Sequence, residues 1–217
     1  RRVLHRVVGE DRDDLDGVRG LSKALAGELR ARGRLDRLAV VDRRRSAVDP
    51  FVKYLFRSGD GRVFEAVRIP LLKPRFSVCL SSQVGCALGC TFCETGRIGF
   101  LRNLEAWEIV EQALTVRRES PERPLTGAVF QGQGEPLQNY DNVIRAARVL
   151  RDPGGARIGS DRRVQASVLY RVLPSRTPTL WSFDSVVSPA SRTVDGTGVA
   201  VNRSTLRSDR ALLAPVL

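Results

Sequence analysis

All four cysteines of this 217-residue chain, Cys79, Cys86, Cys90 and Cys93, fall within fifteen positions. A disulfide framework distributes its cysteines along a chain, whereas a cluster of this kind is typical of a metal or redox site. The sequence shows no signal peptide and no apolar run long enough to cross a bilayer, so we expect a cytoplasmic protein without a membrane partner. The fold must accordingly place several thiols on one short loop.

Three of the thiols belong to one tight segment, Cys-Ala-Leu-Gly-Cys-Thr-Phe-Cys, which runs from Cys86 to Cys93. Thiolates are the usual ligands of iron–sulfur clusters, and three of them leave one iron of a four-iron cluster free to bind another molecule. We expect Gly89 to let the backbone curl around such a cluster. We also expect Phe92 to shield the cluster from water.

A closed zinc site is the alternative, with Cys79 as the source of a fourth sulfur. Cys79 precedes Cys86 by seven residues and lies on a predicted strand, whereas zinc ligands usually pair roughly two to four residues apart. His5, the single histidine, stands alone in a charged stretch and is a poor candidate ligand. The pattern therefore favours an iron–sulfur cluster over zinc, and the zinc alternative stays open.

Strand and helix patterns alternate along the chain. Residues 1–45 are charged with apolar residues at helical spacing, and residues 50–69 contain two alternating runs around a Ser-Gly-Asp-Gly turn, which predicts a hairpin. The later patterns predict strand 76–81, helix 103–118 capped by Asn103, strand 126–131, helix 140–151 and strand 163–167. This order predicts an α/β fold with a parallel sheet and with functional loops at the carboxyl ends of its strands.

The charge balance points to a nucleic-acid partner. The chain has 36 basic and 24 acidic residues, a net charge of +12, and only three of the basic residues are lysines. The planar guanidinium group of arginine suits bidentate contact with phosphate. A genome whose base composition favours arginine codons would produce the same excess, so the charge only supports other indications.

The cysteine spacing resembles the Cys-x-x-x-Cys-x-aromatic-Cys signature of the radical S-adenosylmethionine enzymes. The flanking residues 81–86, Gly96, Gly99, Phe100 and 102–104 resemble more narrowly the dual-specificity ribosomal and transfer RNA adenine carbon-2 methyltransferases and their antibiotic-resistance relatives. This resemblance covers residues 50–167. It implies a 4Fe-4S cluster on the three loop cysteines, S-adenosylmethionine on the open iron, an RNA substrate and an electron donor.

The resemblance also implies a domain division and further site residues. Residues 1–70 would form a helical and β-hairpin region that contacts RNA, residues 71–167 the first half of a (β/α) radical S-adenosylmethionine barrel, and residues 168–217 stay unassigned. Gly134 and Glu135 would hold the amino group of the cofactor, and Ser167 would contact the same molecule. Glu65 would be a proton acceptor, on a largely enclosed face that raises its pKa. Without the resemblance, Gly134 and Glu135 would form a plain turn. Ser167 would be a hydroxyl at the end of a strand, and Glu65 would be a charged residue on an edge strand.

One part of the family pattern is missing. The resemblance implies a methyl-carrying cysteine near the carboxyl terminus, yet no cysteine follows Cys93. Because the likeness stops at Ser167, we expect a truncated or frame-shifted gene that is unable to finish methyl transfer. The other hypotheses are a radical S-adenosylmethionine enzyme with a different substrate and a noncatalytic, metal-bearing RNA-binding protein.

Overall fold

The computed structural model describes residues 1–71 and 74–158, together with the backbone of two later strands. Its helices are α1 (Arg2–Leu4), continued by a π-helical turn at His5–Gly9, α2 (Lys23–Arg32), α3 (Glu94–Ile98), α4 (Ala106–Arg118), a 3₁₀ turn at Pro136–Asn139 and α5 (Tyr140–Arg151). Its strands are β1 (Ala39–Arg45), β2 (Val52–Arg57), β3 (Val63–Pro70), β4 (Phe76–Cys79), β5 (Gln83–Gly85), β6 (Phe100–Asn103), β7 (Leu125–Val129), β8 (Ser167–Tyr170) and β9 (Thr179–Ser182).

A mixed five-stranded sheet in the order β1-β2-β3-β4-β7 forms the centre of the molecule. The first four strands pair antiparallel, and β4 and β7 pair parallel. The hairpin predicted from residues 50–69 is formed by β2 and β3. The α/β class is confirmed. Among the described strands, the predicted parallel arrangement is found in the β4 and β7 pair. The predicted division at residue 70 falls between β3 and β4, which pair within the same sheet.

One face of the sheet carries the core. Phe56, Phe64, Phe76 and Val78 are at most 1% exposed, and they join one apolar cluster with residues of α4 and α5. Residues of opposite parity, such as Glu65 on β3, lie on the other face because side chains alternate along a strand. The two faces of the sheet are therefore distinct, and the helices cover the first.

Helix α4 begins differently from the prediction. Its N-cap is Glu105, which forms a capping box with Glu108, so the proposed cap at Asn103 is wrong. The Asn103 carboxamide instead accepts a hydrogen bond from Gln83. Helix α5 has the predicted bounds, because its apolar residues Val143, Ala147 and Leu150 recur at helical spacing and are buried.

The amino-terminal region differs in part from its helical prediction. Strand β1 was not predicted, and of the residues on α2 only Ala26 is buried. The region packs against α4 through ion pairs. Arg118 lies 2.7 Å from Asp11, and Arg37 lies 3.2 Å from Glu111, whose side chain is 6% exposed. Arg118 also pairs with Glu111, so two arginines neutralise a carboxylate that is expensive to bury alone.

The end of the described region also differs from the prediction. Residues 163–166 of the predicted third strand lie outside the described residues, and Ser167 begins β8 instead of ending a strand. Strands β8 and β9 pair antiparallel in a sheet of their own, within a stretch where we predicted no element. No helix among the described residues is both long and apolar enough to cross a membrane.

Candidate functional site

Two loops meet where β4 and β7 end side by side. The Leu80 N–H donates to the Val129 carbonyl over 2.8 Å, and the Gly132 N–H donates back to the Leu80 carbonyl over 3.0 Å. The Ser82 N–H then donates to the Gln133 carbonyl over 2.8 Å. The segment that leads into the cysteine loop is therefore fixed by main-chain bonds to residues 129–133, which lead into the Gly-Glu-Pro segment at positions 134–136, as expected at the carboxyl edge of a parallel pair.

A short antiparallel ribbon, β5 with β6, carries the cysteine loop. The Cys86 N–H donates to the Gly99 carbonyl over 3.1 Å, which closes the base of the loop. Gly85 has a φ of +74°, and a Cβ atom there would lie 1.8 Å from the Gly99 oxygen. Only glycine fits this position, since any side chain would push the two strands apart.

The Cys86 thiol interacts electrostatically with the other two loop thiols and with Glu135. Cys86 is buried, and Cys90 and Cys93 are half-buried. Burial raises the pKa of the Cys86 thiol, a hydrogen bond from the Leu88 N–H opposes the rise, and the neighbouring groups Cys90, Glu135 and Cys93 add to it. The predicted ligands and the predicted carboxylate thus occupy a common electrostatic environment.

The side chains do not form a closed metal cage. Among the described residues, no three His, Cys, Asp or Glu side chains converge closely enough to hold a metal ion. Cys79 stays in the sheet, where burial raises its pKa while a hydrogen bond from the Gln131 N–H opposes the rise. Three thiols on one loop fit an iron–sulfur cluster by donor chemistry. The four-sulfur zinc arrangement finds no support within the described ranges.

The tip of the loop, residues 87–98, is exposed. Phe92 is 59% exposed, and its expected role in shielding a cluster stays a prediction. Gly89 has a φ of +56°, in agreement with the predicted curl of the backbone. The tip therefore contributes little apolar contact to the core, and its thiols are accessible from solvent.

Glu135 is buried at the start of the 3₁₀ turn. Its carboxylate accepts a hydrogen bond from the Leu137 N–H over 2.9 Å, and its side chain caps the turn. Burial raises the pKa of the Glu135 carboxyl, although the hydrogen bond from Leu137 opposes that rise. With 5% exposure, Glu135 is not the solvated turn residue of the alternative interpretation.

Glu65 does not occupy the enclosed position that we expected. Phe64 and Ala66 point into the core, and Glu65 lies on the opposite face with 34% of its side chain exposed. Its carboxylate is 3.1 Å from the Lys53 ammonium group. The enclosed-face prediction failed because both faces of β3 carry apolar residues. The Glu65 carbonyl accepts a hydrogen bond from the Ser81 hydroxyl, which brings β3 next to the loop segment.

The remaining predicted residue, Ser167, begins β8, and its side chain lies outside the described residues. Gly134 lies beside Gln83. The sequence interpretation missed a set of buried polar side chains beneath the two loops: Gln83, Gln112 and Asn139. Asn139 donates to the Ser82 and Leu104 carbonyls, each over 2.7 Å. The signal was the run of polar residues before the cysteine loop, in a stretch otherwise predicted to be a buried strand.

The chain is similar in sequence to known RNA methyltransferases. No protein-family model matches the chain. A "probable RNA methyltransferase" of Myxococcus xanthus is 50% identical over 149 residues, which cover 69% of this chain and 41% of that protein. The "dual-specificity RNA methyltransferase RlmN" of Syntrophotalea carbinolica is 44% identical over 158 residues, which cover 71% of this chain and 40% of that protein.

A solved structure gives the same result. The crystal structure of a radical SAM methyltransferase from Sphaerobacter thermophilus matches with a TM-score of 0.63 and 37% identity, over 74% of this chain and 48% of that one. The chain thus spans less than half the length of each of these relatives. The resemblance predicted from the cysteine loop is confirmed, as is the assignment to an enzyme family by resemblance.

Proposed function

We propose, from the premise that this chain is a homologue of radical S-adenosylmethionine RNA methyltransferases, that it holds a 4Fe-4S cluster on Cys86, Cys90 and Cys93 and binds S-adenosylmethionine beside Glu135. The observation that carries the proposal is the burial of Glu135 next to the cysteine loop, where two parallel strands end. Substrate sites of β/α barrels lie at this edge of the sheet.

The fold supports a partial barrel as the scaffold. Strand β4, helix α4, strand β7 and helix α5 are two successive β/α units around a parallel strand pair. In a barrel the helices cover the outer face, and ligands bind at the carboxyl ends of the strands. Glu65 and Cys79 lie on the face opposite the helix-covered core, which becomes the inner face in this proposal. The hairpin and β1 extend the same sheet on its amino-terminal side.

Each site residue then has a defined task. Cys86, Cys90 and Cys93 would hold the cluster through their thiolates, and an iron without a protein ligand would be open to the cofactor. The bound cluster supplies one electron for cleavage of the sulfonium. Glu135, whose carboxylate is already buried beside the loop, accepts a hydrogen bond from the ammonium group of the methionine moiety. Ser167 is proposed as a second contact to the cofactor.

Glu65 remains the proposed proton acceptor, now from a half-exposed position. Its partner Lys53 would have to release the carboxylate, or share it, when substrate arrives. An RNA substrate agrees with the net charge of +12, because arginine pairs with phosphate. We also propose a reducing partner for the cluster and a cytoplasmic location. Methyl transfer by residues 1–217 alone would fail, since no thiol follows Cys93 to carry the methyl group.

Metal analysis of anaerobically reconstituted protein tests the cluster assignment. We expect about four irons and four sulfides per chain, and their loss when any loop cysteine is replaced by Ala. The matched control is Cys79→Ala, which removes a half-buried thiol outside the loop and should leave the iron content unchanged. Stoichiometric zinc without iron, or equal iron loss in Cys79→Ala, would contradict the proposal.

A further inference from the structure

One buried glutamine joins the two loops of the site. Gln83 is 1% exposed, and its Nε2 donates to the Asn103 Oδ1 over 2.8 Å. Its Oε1 accepts from the Glu135 N–H over 2.8 Å. A main-chain N–H can only donate, so the oxygen of the carboxamide must face Glu135 and the nitrogen must face Asn103. The carboxamide therefore forms hydrogen bonds through both ends, with its nitrogen toward Asn103 and its oxygen toward Glu135.

Position 134 has no room for a side chain, because Gln83 lies beside it. Its φ is +94°, and a Cβ atom there would lie 2.4 Å from the Gln83 Cβ and 2.6 Å from its Cγ. Such distances never occur between real Cβ atoms and their neighbours, so a larger residue would displace Gln83. The glycine of the Gly-Glu-Pro segment is thus explained by the space that Gln83 occupies.

Main-chain bonds add to this connection. The Gln83 N–H donates to the Gln133 carbonyl over 3.1 Å, so the backbone and the side chain of Gln83 hold residues 133–135 from both ends. Asn103, on the strand that returns from the cysteine loop, donates to the Gln138 carbonyl over 3.3 Å. Gln83 therefore couples the returning strand of the ribbon to the start of the 3₁₀ turn.

We propose that Gln83 is a positioning residue, which sets the placement of the Glu135 carboxylate toward the ammonium group of S-adenosylmethionine. This inference rests on the proposed function, because Glu135 is the group that would contact the cofactor. The Gln83 carboxamide hydrogen-bonds to Glu135 and Asn103, and it acts through them. Leucine at position 83 has nearly the same size but leaves the Glu135 N–H and the Asn103 oxygen without their partner.

Hydrogen exchange of the chain without cofactors is the first test. Gln83→Leu should speed exchange of the Glu135 N–H by about tenfold or more, while the amides of α5 keep their rates. The matched control is Gln138→Leu, an exposed glutamine three residues after Glu135, which should leave the Glu135 rate unchanged. An unchanged Glu135 rate in Gln83→Leu would overturn the inference without reference to cofactor binding.

A double-mutant cycle on the iron-loaded chain is the second test, with S-adenosylmethionine affinity measured by equilibrium dialysis. We expect about tenfold weaker binding in Gln83→Leu with unchanged iron content, and less than about twofold further loss when Gln83→Leu is added to Glu135→Gln. Additive losses would show that Gln83 acts independently of Glu135 and would overturn the inference.

The two possible failures are distinguishable. If Glu135→Gln binds the cofactor as tightly as the parent chain, the proposed function is wrong about Glu135, and the positioning role falls with it. If Glu135→Gln weakens binding and Gln83→Leu does not, only the inference is wrong. Should Gln83→Leu fail to fold, Asn103→Ala removes the other partner of the carboxamide. Unchanged Glu135 exchange and unchanged affinity in Asn103→Ala would then overturn the inference.

Discussion

The base of the cysteine loop, residues 81–86, and its tip, residues 87–98, are adjacent in sequence but differ in burial and hydrogen bonding. Ser81, Ser82, Gln83 and Val84 are at most 3% exposed and are held by main-chain and side-chain hydrogen bonds. Leu88, Phe92 and Ile98 in the tip are 43%, 59% and 56% exposed. The base of the loop is therefore fixed by buried contacts and hydrogen bonds, whereas the tip is largely exposed to solvent.

This difference matters for the proposed iron–sulfur cluster. A cluster binding site needs thiolates that can be drawn to one centre, and metal affinity itself provides that ordering energy. A rigid base keeps the two ends of the loop at a fixed separation during that rearrangement. Buried polar networks are favourable when every group has a partner, and the base of this loop satisfies that condition.

The largest predicted contrast concerns two glycines. Gly85→Ala at the base should destabilise the chain by about 3 kcal/mol or more, because a positive φ adds to a steric overlap with the Gly99 carbonyl. Gly89→Ala in the tip also has a positive φ, but nothing lies within 4 Å of its Cβ position. We expect Gly89→Ala to lower the free energy of unfolding by about 1–2 kcal/mol. Urea unfolding monitored by circular dichroism measures both, and equal losses would erase the distinction between base and tip.

A smaller effect is expected where the base is joined to the hairpin. Arg102 on β6 lies 2.6 Å from the Asp60 carboxylate in the β2–β3 turn and 2.7 Å from Glu108. The hydrogen bond from Arg102 is the main cause that lowers the pKa of Asp60, with a further contribution from the Ser58 hydroxyl. Because the folded-state pKa lies below the unfolded value, this pairing stabilises the fold above that value and is lost as the pH falls toward the folded-state pKa.

Asp60→Asn should therefore cost less than about 1 kcal/mol near pH 7, since the side chain is partly exposed and solvent screens the pair. The difference from the parent chain should shrink as the pH falls below about 4. Unfolding midpoints between pH 3 and pH 7 measure this dependence. Ser46→Ala, in a separate turn where the hydroxyl accepts the Val48 N–H, is the control, and its difference should stay constant because a hydroxyl does not titrate in this range. A difference that grows toward low pH would contradict the assignment.

The smallest effect is expected at the tip itself. Phe92→Ser should change the stability of the cofactor-free chain by less than about 0.5 kcal/mol, because the ring makes few buried contacts. Leu104→Ala, beside the ribbon and 0% exposed, should cost about 2–5 kcal/mol by leaving a cavity. Thermal unfolding of both variants compares them directly. A large loss in Phe92→Ser would mean that the tip is packed against the protein.

Local patterns in the sequence predicted several elements of the fold. Helix α5 and the β2–β3 hairpin were predictable because their apolar residues follow one period clearly. Strand β1 was not, since Ala39–Arg45 is dominated by charged residues. Asn103 was assigned as a helix cap because a cap and a bridge to Gln83 look alike in sequence. For Asn103 the deciding partner lies 20 residues away, where local patterns carry no information.

The site shows the same division. The cysteine spacing and the Gly-Glu-Pro segment were recognisable because each is contiguous. The Gln83 bridge was not, because a single glutamine has no periodic signal and its partners Asn103 and Glu135 lie 20 and 52 residues away. The exposure of Glu65 was mispredicted since Val67 and Phe64 give both faces of β3 an apolar character.

Mass spectrometry of the products of S-adenosylmethionine tests the central claim most directly. The iron-loaded chain, reduced with dithionite in the presence of RNA, should form 5'-deoxyadenosine, and Glu135→Gln should lower that yield by about tenfold. The same digest should contain no 2-methyladenosine, because these residues offer no thiol after Cys93 to carry the methyl group. An iron-loaded chain that forms no 5'-deoxyadenosine, or one that makes 2-methyladenosine by itself, would contradict the account.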